Sequence, residues 1–414
     1  MFARLALKSL LDRKGSVFLA LLAMSVSIFV LLGVEHIRNQ AKESFSNTVS
    51  GVDLIVGART GSLNLLLYSV FRIGSPTNNI RWESFQEIAG SSKVKWAIPL
   101  SLGDSHKGYR VLGTTTDYFE HFSYGDKRYL TFADGKPFRD IFDVVLGAEV
   151  AKKLGYQTGD DLVLAHGVAA TSFSMHDDRP FKVVGILAPT GTPVDQTLHV
   201  SLKGIEAIHI DWQQGVKIPN SSISVEDLAK IPLQPESITA FMLGLNSRMA
   251  TFGVQREINN YQREPLMAIL PGVALSDLWQ TMGVLENTLM LVSALVFIAA
   301  CLGVSAMLLA SIRERRREIQ LLRVIGAPPR FLFFLIELEA LLITVFGVIL
   351  GSLLLTCCLA LSRDYLVTQF GLHINMAIFT EDSFYLMVLM IVASVMVAAI
   401  PSFSGYSNAR NSGD

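Results

Sequence analysis

Charged residues are scarce in this sequence. They make up 17% of its 414 residues, while 50% are apolar, and the mean hydropathy is +0.42. A soluble domain carries about 25% charge, so the composition points to membrane spans rather than to a larger core. The net charge is −1, which excludes the global basic field that gathers nucleic acid. There are three cysteines, Cys301, Cys357 and Cys358, all inside apolar runs, so no disulfide framework is implied. No G-x-x-x-x-G-K-[ST] run occurs, so this chain has no phosphate cradle for a nucleotide. A G-x-S-x-G elbow is missing too, and no chemistry by this chain is expected.

What the chain does have is four long runs without a charged side chain: Gly15–Val34, Leu289–Ile312, Ala340–Ser362 and Ser383–Ala409. Each reaches the roughly 20 residues a helix needs to cross about 30 Å of hydrocarbon. A spanning backbone must be helical to satisfy its own N–H and C=O groups. The first run is expected to stay as an anchor, because "LLGVEHIR" is a poor signal-peptide cleavage site.

Orientation follows from where the cations sit. Arg4, Lys8, Arg13 and Lys14 precede the first run, and Arg313, Arg315, Arg316, Arg317, Arg323 and Arg330 fall between the second and third. The segment between the third and fourth runs is slightly acidic. Both termini and the arginine-rich loop are therefore expected in the cytoplasm, with residues 36–282 on the far side as one insert. That insert reads as mixed α/β. "RPFKVVGIL" and "DDLVLAHG" have strand composition, "GAEVAKKLGY" is a short helix with a glycine stop, "IRWESFQEIAG" is a second helix, and "IHIDW" reads as a strand end.

The expected order is a cytoplasmic amphipathic helix over 1–14, a first span at 15–35, the external domain at 36–282 and a second span at 283–312. A cytoplasmic helix over 313–329 follows, then a third span at 330–362, a short external loop at 363–382, a fourth span at 383–402 and a cytoplasmic tail at 403–414. The fold class is a membrane protein with four transmembrane helices and a large extracytoplasmic domain between the first two. Within residues 1–14, apolar Phe2, Leu5, Leu7, Leu10 and Leu11 oppose Arg4, Lys8, Asp12 and Arg13, a pattern suited to the membrane surface.

The external segment carries His166, His176, His199 and His209 with Asp177, Asp178 and Asp211 nearby. Imidazole and carboxylate together suit zinc, which makes these histidines metal candidates. Neither H-x-x-x-H nor H-E-x-x-H spacing occurs, and isolated core or surface histidines are the commoner outcome, so no metal site is assigned. Glu337 and Glu339 stand in or near the third run, where an acid calls for a polar partner. An arginine of the loop before it is the expected partner of Glu339. Gly347-x-x-x-Gly351 permits close helix packing and is a candidate dimer contact.

The stretch Arg313–Gly326 has two readings on its residues alone. It is a half-apolar helix, stopped by Gly326 and Pro328–Pro329, suited to a partner's groove. Equally, it is an arginine cluster that only sets topology.

A resemblance chooses between them. "RRREIQLLRVIGAPPRFLFFLIELEALLITVFGVILG" (Arg315–Gly351) resembles the signature of the MacB/FtsX-like family of ABC permeases, of the MacB/LolC type with four spans and no ATPase domain of its own. "VVLGAEVAKKLGYQTGDDLVL" followed by "FKVVGIL" is similar to the family's extracytoplasmic core domain. Gln320 departs from the family's usual glycine, and "IPSFSGYSNAR" matches its basic ending only loosely.

The resemblance implies a permease subunit working with a second permease, as homodimer or heterodimer, on two copies of a separate cytoplasmic ATPase. ATP and Mg then belong to that ATPase, and this chain is not an enzyme and holds no cofactor. Arg315, Arg316, Glu318, Ile319, Leu322, Arg323, Gly326 and Ala327 would couple to it, while Glu339, Gly347 and Gly351 would be structural residues of the span. The implied setting is a bacterial inner membrane with the large domain in the periplasm, among membrane lipid. The implied work is extraction or export of a lipoprotein, peptide, lipid or amphipathic compound. The alternative is FtsX-like mechanotransmission to a periplasmic partner such as a cell-wall hydrolase, and a weaker one, prompted by the histidines, is zinc handling.

Overall fold

A computed structural model describes residues 2–166, 179–210, 212–213, 216–217, 233–314, 328–370 and 377–411. The chain divides into two compact units. One is Met1–Ala41 with Met282–Tyr365 and Ile374–Asp414; the other is Lys42–Thr281 with Leu366–His373.

The first unit is helical. A short helix, Phe2–Asp12, precedes four long ones: Lys14–Asn47, Pro271–Glu314, Pro329–Phe370 and Glu381–Asn411. Each long helix contains a stretch apolar and long enough to cross a membrane: Lys14–Glu43, Pro271–Glu314, Arg330–Ser362 and Glu381–Ser404. The four are called the first to fourth spans below. Met24, Ile28, Cys301, Val304, Ile336, Ala340 and Met390 are buried between them. Phe18, Leu22, Leu291, Leu295, Phe346, Leu353, Leu389 and Phe403 face outward. Apolar residues on both the inner and outer faces suit lipid, where the outside needs no polar coat.

Two details show how the helices stay satisfied in that solvent. Pro401 lies inside the last helix and has no N–H for the carbonyl of Val397. The Ser305 hydroxyl of the second span donates to that carbonyl at 3.4 Å. Thr344 and Ser394 share a hydroxyl hydrogen bond at 2.6 Å between the third and fourth spans. Polar side chains re-satisfying a proline-freed carbonyl, or bonding across helices, are the usual arrangement in membranes.

The second unit is built on one eleven-stranded sheet. Its main strands are β1 (Leu54–Ala58), β2 (Val94–His106), β3 (Tyr109–Thr114), β4 (Phe132–Gly135), β5 (Asp143–Leu146), β6 (Phe181–Leu187), β7 (Thr197–Ser201), β8 (Ala240–Leu245) and β9 (Leu266–Ile269). Their order across the sheet is β9-β1-β8-β2-β3-β7-β5-β6-β4. Neighbours are antiparallel except β3 with β7 and β5 with β6, which run parallel. β1 and β8 are buried at every residue, as their unbroken apolar sequences require. β6 instead alternates buried and more exposed positions, the mark of one covered face.

Helices Trp82–Ala89 and Thr251–Asn259 cover one part of the sheet, burying Phe85, Ile88, Val254 and Ile258. Helices Ala148–Leu154 and Leu202–His209 cover another, burying Val150, Ile205 and Ile208. The glycine stop read from "GAEVAKKLGY" is real: Gly155, at φ 73°, ends the helix in the left-handed region.

Three expectations need correction. Residues 363–370, read as part of a loop, continue the third-span helix to Phe370. The apolar run ends at Ser362, but no glycine or proline follows before Gly371, so polarity changes while helical propensity does not. The tail is likewise helical to Asn411. "IHIDW" is not a strand end at its start: Ile208 and His209 close helix Leu202–His209, whose Ser201 cap accepts from Gly204 N–H. A short strand, Trp212–Gln213, follows.

Candidate functional site

The expected coupling residues Arg315, Arg316, Glu318, Ile319, Leu322, Arg323, Gly326 and Ala327 lie outside the described residues. Their flanks are described. The second-span helix is described as far as Glu314, and the third-span helix opens on Pro329, where a missing N–H costs nothing.

Glu339 lies about three turns into that helix, or about 15 Å along it, and is 3% exposed. The arginines expected as its partner, in the preceding loop, lie outside the described residues apart from Arg313 and Arg330; among the described residues its partners come from the N-terminus. Ser9 of the N-terminal helix donates a short hydrogen bond to Glu339 Oε1. Arg13 Nη2 donates to Ser9 Oγ at 3.0 Å and lies 3.4 Å from Glu339 Oε2. Arg13 occupies the break between helices Phe2–Asp12 and Lys14–Asn47. A buried carboxylate needs a cation and a donor, and here both come from the start of the chain. The triad holds the N-terminal helix against the third span. Ser9 carried no signal in the sequence, and Arg13 counted there only as a topology-setting charge. Glu337, two residues away, also has both carboxylate oxygens buried.

Gly347 and Gly351 also act inside the chain, which corrects their reading as a dimer contact. A Cβ on Gly347 would meet Met24 Cγ at 2.7 Å, and one on Gly351 would meet the Ser25 carbonyl oxygen at 2.8 Å. The missing side chains let the first span close on the third. The four-residue spacing was visible in the sequence; the helix it packs against was not.

Among the described histidine candidates, His199 sits in the core, while His209 and His166 both adjoin Asp104. His199, on β7, is fully buried. Its ring lies 5.2 Å from Tyr118 and 5.9 Å from Phe119. Burial, helped by the nearby Arg72 guanidinium, pushes its pKa down to about 3. A neutral ring beside a buried cation in an aromatic core is a packing residue. His209 Nε2 is 3.4 Å from Asp104 Oδ1. Burial lowers the pKa of His209, but hydrogen bonding and charge from Asp104, with Glu206 beyond, outweigh it and the net shift is upward. His166 stands opposite Asp104 in the strand register, and His176 lies outside the described residues. Asp117, Glu120 and His121 place their ligand atoms within 4.8 Å of one another, the only such group among the described residues. It is mostly exposed, and His121 stacks on Trp96 at 5.5 Å.

Comparison with known proteins matches the two halves of the chain separately. Residues 17–239 match the MacB-like periplasmic core domain, and residues 290–408 match the FtsX-like permease C-terminal region. Among solved structures, the periplasmic region of MacB from Actinobacillus actinomycetemcomitans is similar at 12% identity and a TM-score of 0.35, covering 56% of this chain and 94% of that one. The extracellular domain of the noncanonic ABC-type transporter YknZ from Gram-positive bacteria is similar at 12% identity and a TM-score of 0.30, covering 52% of this chain and 98% of that one. No curated protein matches. With a core-domain match over more than half its length and the permease match following it, the chain belongs to the MacB/FtsX-like permease family.

Proposed function

We propose that this chain is the permease subunit of an ABC transporter in a bacterial inner membrane, with both termini cytoplasmic. It pairs with a second permease and is driven by two copies of a separate ATPase. ATP hydrolysis there moves segment Arg313–Ala327, and the spans carry that motion to the α/β domain as a hinge or shear movement. The domain's displacement extracts or exports a substrate. One observation carries the reading: a chain matching both the permease and the core domain of this family contains no phosphate-binding run of its own. The N-terminal tie supports it mechanically, since Ser9 and Arg13 fasten the first span's base to Glu339 of the third. The size of the domain, Lys42–Thr281, favours work on a substrate over a simple signalling relay.

The test is co-purification with the cognate ATPase. Glu318→Arg with Leu322→Asp is expected to abolish complex formation and the permease-dependent ATPase rate. Retention of both would end the docking assignment. In the reconstituted wild-type complex, stimulation of ATP turnover by a small amphiphile supports transport. Stimulation only by a folded periplasmic protein overturns it in favour of signalling.

A further inference from the structure

The α/β domain contains a cavity of about 870 Å³ that none of the motifs predicted. Such a volume suits a drug-sized ligand, for which pockets run from about 300 to 1,000 Å³. The cavity lies where parallel strands β3 and β7 end, at Thr114 and Ser201, which are paired in register. Crevices outside the carboxyl ends of parallel strands are where α/β sheets bind ligands.

Its walls are of two kinds. Trp82, Phe138, Ile141, Leu202 and Leu233 supply apolar surface. Arg139 and Lys203 supply two cations against the single carboxylate of Asp140, and neither cation has an ion-pair partner among the described residues.

Each wall is pinned by bonds that do not involve a ligand. The Asp143 carboxylate accepts from the backbone N–H groups of Arg139 and Asp140, both at 2.9 Å. Ser201 Oγ donates to the Ile141 carbonyl at 3.2 Å. The backbone N–H of Trp82 donates to the Glu236 carbonyl at 3.0 Å, and the Ser84 hydroxyl donates to the Glu264 carboxylate at 2.8 Å. A site whose walls are already fixed loses little ordering entropy on binding.

We propose that this cavity binds an amphipathic anion: an apolar body against Trp82, Phe138 and Leu202, and a carboxylate or phosphate head at Arg139 and Lys203. The assignment deepens the transport reading by naming a substrate class, and it rests on that reading for its role, although the binding itself needs no ATPase.

The test uses the full chain in phosphatidylcholine nanodiscs, without ATPase or nucleotide. A dodecanoate analogue with a tail diazirine is photoactivated, and adducts are mapped by peptide mass spectrometry. Adducts are expected on the peptides carrying Trp82, Phe138 and Leu202, with competition by dodecanoate or dodecyl phosphate; the more effective competitor identifies the head group. Arg139→Glu with Lys203→Glu, both at exposed positions, is expected to cut cavity labelling about fivefold or more. That is the factor for roughly one unit-charge contact at about 4 Å in water. Labelling of the span helices serves as the internal control and stays unchanged. Adducts confined to the spans, equal cavity labelling by the neutral methyl ester, or unchanged labelling in the double variant would each overturn the proposal. ATPase co-purification is read separately. A chain that labels but never recruits an ATPase overturns the permease reading alone, and one that recruits the ATPase without labelling overturns the cavity alone.

Discussion

In the helical unit the tightest contacts are made by what is missing, since Gly347 and Gly351 leave room for Met24, Ser25 and Ile28. The α/β domain also closes on glycines, a Cβ on Gly147 meeting the Val194 carbonyl oxygen at 2.3 Å, but it adds fully buried rings: Phe241 lies 5.2 Å from Phe85, and Tyr118, Phe181 and Leu66 fill the sheet's flanks. The contrast follows from solvent. Water drives large apolar side chains together, whereas lipid is as apolar as leucine and offers no such drive, so spans associate by close backbone approach and a few polar bonds. Polar groups follow the same division. The helical unit ties Glu339 to Ser9 and Arg13 and Thr344 to Ser394, helix to helix. The domain uses Asp143 and Ser201 to fix its own loops.

The largest effect is expected from removing atoms in the domain. Phe241→Ala is expected to cost about 3–5 kcal/mol, the range for deleting a buried aromatic ring. All four tryptophans, Trp82, Trp96, Trp212 and Trp279, fall in this unit, so the thermal midpoint of tryptophan fluorescence in the full chain reports it. An unchanged midpoint would mean the core is not held by ring packing.

A smaller effect, of the opposite kind, is expected from adding atoms in the spans. Gly351→Ala pushes a methyl toward the Ser25 backbone oxygen, which cannot rotate away. Gly347→Ala meets only side chains, Met24 Cγ at 2.7 Å and Ile28 Cδ1 at 3.3 Å. Overpacking costs about 1–3 kcal/mol, and Gly351→Ala is expected near the upper end with Gly347→Ala below it. Unfolding in mixed SDS micelles, followed by far-UV circular dichroism, measures the order. The reverse order would show that the first span does not approach the third along this face.

The smallest effects are expected from pH, and the two domain histidines act in opposite directions. The unfolded chain protonates His199 near 6.5, but the folded chain refuses the proton until about 3. Stability is therefore full above about 6.5 and falls as pH drops toward 3, by up to about 1.4 kcal/mol per unit. His209 is raised by Asp104. Its contribution is complete below about 6.5 and is lost as pH rises through the raised folded value. Tryptophan-fluorescence midpoints at pH 5.5 and 7.5 are expected to differ less in His199→Leu than in wild type. His209→Gln is expected to remove part of any loss between pH 6.5 and 8.5. Identical pH profiles in wild type and His199→Leu would remove His199 as a source of acid lability.

Much of this organisation could be read along the chain because it is local. Lipid-spanning runs declare themselves by length and lack of charge, and the Gly155 stop needs only a left-handed residue after a helical pattern. The extension to Phe370 was not legible in hydropathy, because the end of an apolar run marks the end of lipid and not of a helix. Nor could the histidines be sorted. His199 and His209 look alike in sequence, yet one is enclosed by Tyr118 and Phe119 and the other faces Asp104.

Taken alone, the sequence determined that the chain crosses a membrane four times, that a large α/β insert separates the first two crossings, and which family signature Arg315–Gly351 resembles. These depend on composition and spacing within a few turns of chain. Only the tertiary structure decided that Glu339 meets Ser9 across 330 residues, that the Gly347–Gly351 face belongs to the first span, and that Trp82, Arg139 and Lys203 line one cavity. Partners so far apart in sequence are chosen by packing and by the demand that buried charge and donors be satisfied, and no local pattern records that choice.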